Sequence, residues 1–570
     1  MAQVIETIRF DTPPVENSRP RRRFQRLRLL TVLSVLCALL LSIPVLTVAW
    51  NVFQPSSDTM AHLAATVLPD YLINTLILVA IVGIGVMTVG VGSAWLVTMY
   101  RFPGRDILQW ALILPLAMPA YVIAYAYTDF LQFSGPVQSL LRDISGWQTP
   151  RDYWFPQIRS VEGAAVMLML VLYPYVYLLS RASFLQQSVC ALEVSRTLGC
   201  NGWRTFLRVG VPLARPAIVA GTVLALMETL ADYGTVQYFG VQTFTTGIYR
   251  AWFSLYDHTA AAQLSAMLLG IVLVLLLLER WNRGRQRYHH TSVRYRYLAQ
   301  PRLGKGTRWL ATLLCTLPVI LGFLLPAVVL FSMALKAGID IPRFLPQAMN
   351  TFILGAITAL LAVSLALMVA YGARLQPGPL TSFASRLSSL GYTVPGSVIG
   401  VGILIPFAWF DNSLDSWLRS SFGVSSGLLL TGGIAALIFA YLVRFLAVSL
   451  QAVEAGLTKV RGSMDDAART LGRGPAETLV KVHAPLLWSS LLTAGLLVFV
   501  DVMKELPATL IMRPFNFDTL AVQAHNYAAD ERLGAAATPA LMIVMVGLVP
   551  VLLLSRAIAQ ARPGKNSSDA

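Results

Sequence analysis

Apolar runs of about 20 residues, broken by short polar loops, recur along the whole of this 570-residue chain. At a rise of about 1.5 Å per residue, such a run forms a helix about 30 Å long, the thickness of a bilayer's hydrocarbon core. Twelve spans are predicted. The first six are Leu29 to Ala49, Tyr71 to Tyr100, Ile107 to Thr128, Gly163 to Ser180, Val209 to Gly234 and Thr259 to Leu278. The second six are Trp309 to Leu335, Asn350 to Ala373, Leu387 to Phe410, Ser420 to Val443, Val482 to Pro507 and Leu533 to Ser555. The second run is long enough to imply tilt or an interfacial end, and the fifth and eleventh carry acidic residues.

Two of the polar interruptions are the same segment. Glu193 to Ile218 reads EVSRTLGCNGWRTFLRVGVPLARPAI, and Asp466 to Leu491, 273 positions later, reads DAARTLGRGPAETLVKVHAPLLWSSL. They share Arg196/Arg469, Thr197/Thr470, Leu198/Leu471, Gly199/Gly472, Thr205/Thr478, Val209/Val482, Pro212/Pro485 and Leu213/Leu486. Composition alone would give about one or two such identities, so the chain is an internal duplication. Asn74-Thr75 and Pro119 recur as Asn350-Thr351 and Pro395, 276 positions on. Six spans separate equivalent points, so the halves share one orientation and are related by a parallel pseudo-twofold axis. The predicted fold is an all-α polytopic membrane protein of two six-helix repeats.

Composition agrees: 56% of residues are hydrophobic and 13% charged. The net charge of +16 acquires its meaning from where it lies. Arg19, Arg21, Arg22, Arg23, Arg26 and Arg28 precede the first span, and nine Lys and Arg residues lie between Arg280 and Arg308. Arg556, Arg562 and Lys565 follow the last span, whereas Asn51 to Asp70 holds no Lys or Arg. The positive-inside rule therefore places both termini, the linker and both repeated loops in the cytoplasm. The implied organisation is a basic arm (1–28), a first half (29–280), a basic linker (281–308), a second half (309–556) and a tail (557–570). The first span, about 21 residues, exceeds the 7–15 of a signal-peptide core and reads as uncleaved. The Arg run in the linker is explained by topology and anionic lipid, without nucleic acid. Cys37, Cys190, Cys200 and Cys315 form neither a disulfide framework nor a CxxC site.

Each repeated loop encodes a helix, a sharp turn and a second helix. Gly199 or Gly472 suits the left-handed position that ends a helix, and Pro212 or Pro485 suits the first turn of the next. The pattern Asp466-Ala467-Ala468, Gly472, Val482, Pro485 resembles the EAA loop of permease subunits of ATP-binding-cassette importers of the type I architecture. The first copy matches as Glu193-Val194-Ser195, Gly199, Val209 and Pro212, departing at both alanines. The resemblance covers nearly the whole chain and implies a fused double permease in a bacterial inner membrane. Each loop's short helix would then sit in a groove of one of two ATPase subunits, and a periplasmic binding protein would deliver the substrate. The chain has no Gly-x-x-x-x-Gly-Lys-Ser/Thr phosphate loop, so ATP and Mg would be bound by the partner ATPase and this chain would be no enzyme.

The segments Met503 to Ala521 and Leu230 to Tyr249 resemble ferric-iron permeases, and less closely those for thiamine or phosphonates. The chemistry is compatible. At the 273 offset Glu228 matches Asp501 and Asp232 matches Glu505, placing two carboxylates four residues apart on one helical face of each half, near the outer surface. Carboxylates in a membrane face a cavity or a partner, and hard oxygen ligands, Tyr233 and Tyr238 among them, suit a ferric ion. A Lys504–Asp501 ion pair is the competing structural explanation. An ion-coupled carrier using Glu228, Asp232, Asp501 and Glu505 as proton or cation sites is the alternative function; it would need no duplicated docking loop. His62, His258 and His525 on one side and His289, His290 and His483 on the other lack metal-ligand spacing and read as surface or interfacial, and no metal site is assigned.

Overall fold

The computed structural model describes residues 29–186, 195, 197, 199, 201–283, 301–458 and 460–560. It is helical throughout, and among the described residues the only strand-like pairing is an isolated bridge between Arg101 and Arg302. The basic arm, most of the linker, the end of the tail, Glu193, Cys190, Cys200, His289 and His290 lie outside the described residues.

Among the described residues, ten helices are long and apolar enough to cross a bilayer, or twelve with two bent pairs counted as one span each. The first half has α1 (Leu29–Asn51), α2 (Leu68–Met99), the bent α3 (Arg105–Ala117, then Ala120–Ser145 at 94°), α4 (Val161–Gln186), α5 (Gly202–Ala231) and α6 (His258–Arg283). The second repeats it with α7 (Lys305–Ala337), α8 (Ile341–Leu375), α9 (Gly396–Phe422), α10 (Ile434–Leu457), the bent α11 (Pro475–Leu486, then Trp488–Met503 at 82°) and α12 (Leu533–Gln560). At 32 residues, α2 is about 48 Å long and exceeds the hydrocarbon core, as its apolar run implied.

Several boundaries differ from the pattern reading, those of the third, ninth and tenth spans among them. The third span bends where Pro115 and Pro119 interrupt the backbone ladder. The ninth starts at Gly396, after Pro395, with a separate short helix, Pro379–Ser389, before it. The tenth begins at Ile434 and reaches Leu457, well past the expected Ser420 to Val443. Residues 423–433 carry no charge and adjoin an apolar run, but Gly423 and Gly427 take positive φ. The Asp411 carboxylate accepts the backbone N–H groups of Leu430 (3.1 Å) and Thr431 (2.9 Å), replacing helical hydrogen bonds. An end at Val443 had left Arg444 outside the span, whereas the structure buries it within α10.

The halves exchange their outer helices. α1 and α6 pack with α8 to α10 in one core, and α7 and α12 pack with α2 to α4 in the other. Polar contacts mark the exchange: Thr31 Oγ1 donates to Gln376 Oε1 (2.6 Å), and the Tyr127 hydroxyl donates to Leu321 O (2.8 Å). Lipid supplies no hydrophobic force between helices, so close approach at small residues carries the association. Gly402 lies so near α1 that a Cβ would fall 2.4 Å from Pro44 O, and on Gly322 of α7 one would fall 2.6 Å from Leu170 O.

The Asn-Thr repeat also has a structural role. Asn74 Nδ2 donates to Gln242 O (2.9 Å) and Asn350 Nδ2 to Asp518 O (3.0 Å), so each half ties the loop before its last span to its second helix in the same register.

Candidate functional site

Two places concentrate polar side chains: the repeated loops on one face of the helix bundle and a cavity inside it. In the second loop, Gly462–Thr470 is a short helix. Gly472 follows with φ +76°, and Arg473 N–H bonds to Ala468 O (3.0 Å), the six-to-one bond of a Schellman stop. Gly199 has the matching φ of +78° in the first loop. Asp465 and Ala468 face inward, while Met464, Ala467 and the 78%-exposed Leu471 form an apolar stripe at helical spacing on the outside, beside the exposed Asp466.

The inner face is tied down by charge. Asp465 meets His483 Nε2 at 2.6 Å and Arg374 at 2.9 Å, and Arg374 also donates to Leu457 O and Val460 O. Desolvation raises the Asp465 carboxyl pKa, but the hydrogen bonds and charges of His483 and Arg374 outweigh it and hold the group below its ordinary value. His483 is fully buried, contrary to the surface reading, because its partner stands 18 positions upstream, at no metal-like spacing.

The helix after each Gly starts earlier than expected, at Gly202 and at Pro475. Pro212 and Pro485 therefore open no new helix. Each follows a π-helical turn, Phe206–Gly210 and Leu479–His483, at matched positions. Proline has no N–H and its ring crowds the carbonyl four residues back, so the ladder widens there. Val209 and Val482 are half-buried in these turns, and Pro212 and Pro485 are exposed.

The cavity, of about 120 Å³, is lined by both halves. Glu228, Asp232, Asp501 and Glu505 all line it, with Tyr121, Tyr175, Tyr233 and Tyr392 and two cations, Arg444 and Lys504. Their arrangement corrects the single-face expectation. α5 ends at Ala231 and α11 at Met503, so Asp232 and Glu505 lie past the helix ends. Asp232 accepts from the backbone of Thr235 (3.1 Å) and Val236 (3.2 Å), and Glu505 from Ala508 (2.9 Å) and Thr509 (3.0 Å). Each caps the short helix that follows it. Lys504 pairs with Asp501 at 2.9 Å.

Arg444 was missed in the sequence; its signal was a lone guanidinium inside an apolar run. Its Nη1 lies 3.2 Å from Glu505 Oε1 and its Nη2 3.5 Å from Glu228 Oε2, so it bridges the halves. It stands ten residues into the 24-residue α10, roughly 15 Å along the axis, so the carboxylates it pairs with lie beside the middle of that helix and not at its end, where an outer-surface position would put them. Tyr238 is absent from the cavity lining and lies under Arg159. His525 is buried beside Tyr125 (3.2 Å) and Tyr233, again unlike the surface reading.

Further contacts join the halves on the side away from the repeated loops. The Tyr249 hydroxyl donates to Pro507 O, and Arg159 makes a two-pronged pair with Glu531, both contacts at 2.8 Å. Among the described residues no three His, Cys, Asp or Glu side chains converge as a metal site.

The model of the binding-protein-dependent transport system inner membrane component matches residues 86–287 and again 362–562, two copies beginning 276 residues apart. The Fe(3+)-transport system permease protein FbpB 2 of Haemophilus influenzae is 28% identical over 92% of this chain and 98% of its own length. The ferric transport system permease protein FbpB of Actinobacillus pleuropneumoniae is 24% identical over 87% of this chain and 72% of its own. The molybdenum transport system permease protein ModB of Escherichia coli is 28% identical but spans 34% of this chain, about one repeat. With two permease repeats, exchanged helices and a cavity between the halves, the chain belongs to the binding-protein-dependent transport system inner membrane components as a fused double permease of the ABC importer type.

Proposed function

We propose that this permease carries ferric iron, handed over by a periplasmic binding protein, into the bacterial cytoplasm by alternating access. The observation that carries the cargo is the cavity, in which four carboxyl groups face two cationic side chains and four tyrosines line the same space. Carboxylate and phenol oxygens are hard donors and suit a small, highly charged cation, whereas an oxyanion would meet an excess of acidic groups. The full-length likeness to permeases named for ferric transport supports the same choice.

ATP, with Mg, would be hydrolysed on two separate ATPase subunits. Their docking points are the repeated loops: Glu193, Gly199, Val209 and Pro212 in the first, and Asp466, Ala467, Ala468, Gly472, Val482 and Pro485 in the second. The exposed stripe of Met464, Ala467 and Leu471 is the knob for a partner's groove. Closure of the ATPases would draw the loops together and rock the halves about the cavity. The loop face, with the linker and both termini, is cytoplasmic in this reading. Thiamine or a phosphonate is the alternative cargo, and ion-coupled transport the alternative mechanism. The test is ATPase activity of the reconstituted complex with ferric, thiamine or phosphonate binding proteins. Stimulation by the ferric one alone supports iron, and stimulation by another reassigns the cargo.

A further inference from the structure

The carboxylates in the cavity obey the pseudo-twofold symmetry and the cations break it. Glu228 and Asp501 are equivalent, as are Asp232 and Glu505, but the position of Arg444 is Val171 in the first half and that of Lys504 is Ala231. A third position breaks the symmetry in the same place. Gly396 corresponds to Ala120, and a Cβ on Gly396 would fall 2.6 Å from Arg444 Nη1 and 2.8 Å from Glu505 Oε1. The second half thus supplies a guanidinium, an ammonium and the glycine that leaves the guanidinium room.

Arg444 is only 7% exposed, and its Nε, buried, has no hydrogen-bond partner among the described residues. A guanidinium stays charged, so a buried one has to be held by fixed carboxylates. Its hold is uneven: Glu505 of its own half is at 3.2 Å, while Glu228 of the other half, at 3.5 Å, is at the edge of hydrogen-bonding range.

We propose that Arg444, assisted by Lys504, is a tethered counter-cation that occupies the carboxylates of the empty pathway, and that a hard cation enters by displacing it from Glu228. This deepens the ferric reading and rests on it. A pathway must bind its ion strongly enough to admit it and weakly enough to release it. Four carboxylates without counter-charge would retain a trivalent ion, whereas a guanidinium on a side-chain tether returns to Glu228 as the ion leaves. Because Arg444 links the halves, its displacement also removes a cross-link between the two bodies that rock.

The test uses the full-length permease in nanodiscs, titrated with terbium(III), a hard trivalent probe whose emission is sensitised by nearby tyrosines such as Tyr175 and Tyr392. Arg444→Gln should bind terbium at least tenfold more tightly than wild type, and Arg444→Lys should stay within about threefold of wild type. Glu228→Gln added to Arg444→Gln should cancel the gain. If Arg444→Gln fails to insert, Lys504→Gln serves as the second variant, with a tightening of a few fold expected. Unchanged or weaker terbium affinity in a folded Arg444→Gln or Lys504→Gln permease would overturn the proposal and leave these cations as structural pairs. Iron uptake by the wild-type complex is measured in parallel. Tightened terbium binding without iron uptake would sustain the tether while overturning the cargo.

Discussion

Replacing Gly472 isolates the backbone conformation of the second repeated loop from every other property of the site. A Cβ at this position would meet no atom within 4 Å, so there is space for a side chain and only the φ of +76° opposes one. For an L-residue other than Asn or Asp, the left-handed conformation costs about 1–2 kcal/mol. If the chain relaxes to negative φ, the bond from Arg473 N–H to Ala468 O is lost and the last turn presenting Ala467 and Leu471 unwinds. A penalty of that size lowers the ratio of ordered to frayed knob by about 5- to 30-fold. The expected outcome for Gly472→Ala, and more strongly for Gly472→Val, is normal membrane insertion with binding-protein-stimulated ATP hydrolysis and uptake uncoupled or lost. Gly472→Asn should retain most of the coupling, because Asn visits the left-handed region readily. The assay is uptake per ATP hydrolysed in proteoliposomes containing the complete importer. Wild-type coupling in the Val variant, or equal loss in Asn and Val, would refute the conformational argument.

Three further outcomes follow from the packing. Asp465→Asn should destabilise the loop by about 1–3 kcal/mol at pH 7, since it removes charge-assisted bonds from His483 and Arg374. The Asp465 pKa is depressed in the fold, so its contribution is fully present above the unfolded value of about 3.9; thermal unfolding at a series of pH values should show the difference from wild type shrinking only below that point. Gly402→Val should cost about 1–3 kcal/mol or more in detergent, because its side chain collides with the Pro44 carbonyl of α1, whereas Gly270→Val, with nothing within 4 Å, should be nearly neutral. The Arg159–Glu531 pair is well exposed, with hydrogen bonds from Arg159 holding the Glu531 carboxyl below its ordinary pKa; a double-mutant cycle should give at most about 1 kcal/mol and less in high salt.

Much of this architecture is legible in one sequence because bilayer physics is one-dimensional: run length marks a span, and a duplicated polar segment marks a duplicated body. Gly199 and Gly472 could be read because one residue type fits one backbone conformation. The tenth span was misplaced because 420–433 carries no charged residue and runs into the apolar stretch that follows, while the loop is set by Asp411, which lies on the preceding helix. Arg444 escaped because its meaning depends on Glu228, 216 positions away in the other half, and no local period links them. The pairing of Asp465 with His483 was hidden for the same reason: the turn that joins them exists only once Gly472 reverses the chain. The exchange of α1 and α7 between bundles leaves its trace in single glycines such as Gly402 and Gly322, whose partners no periodicity names.

The central claim is tested most directly by uptake of radiolabelled ferric iron into proteoliposomes that contain this permease, its ATPase and a ferric binding protein. The account predicts accumulation with ATP and none with a non-hydrolysable analogue. Iron uptake driven by a proton gradient without the ATPase, or an ATPase stimulated only by a binding protein loaded with a different ligand, would contradict it.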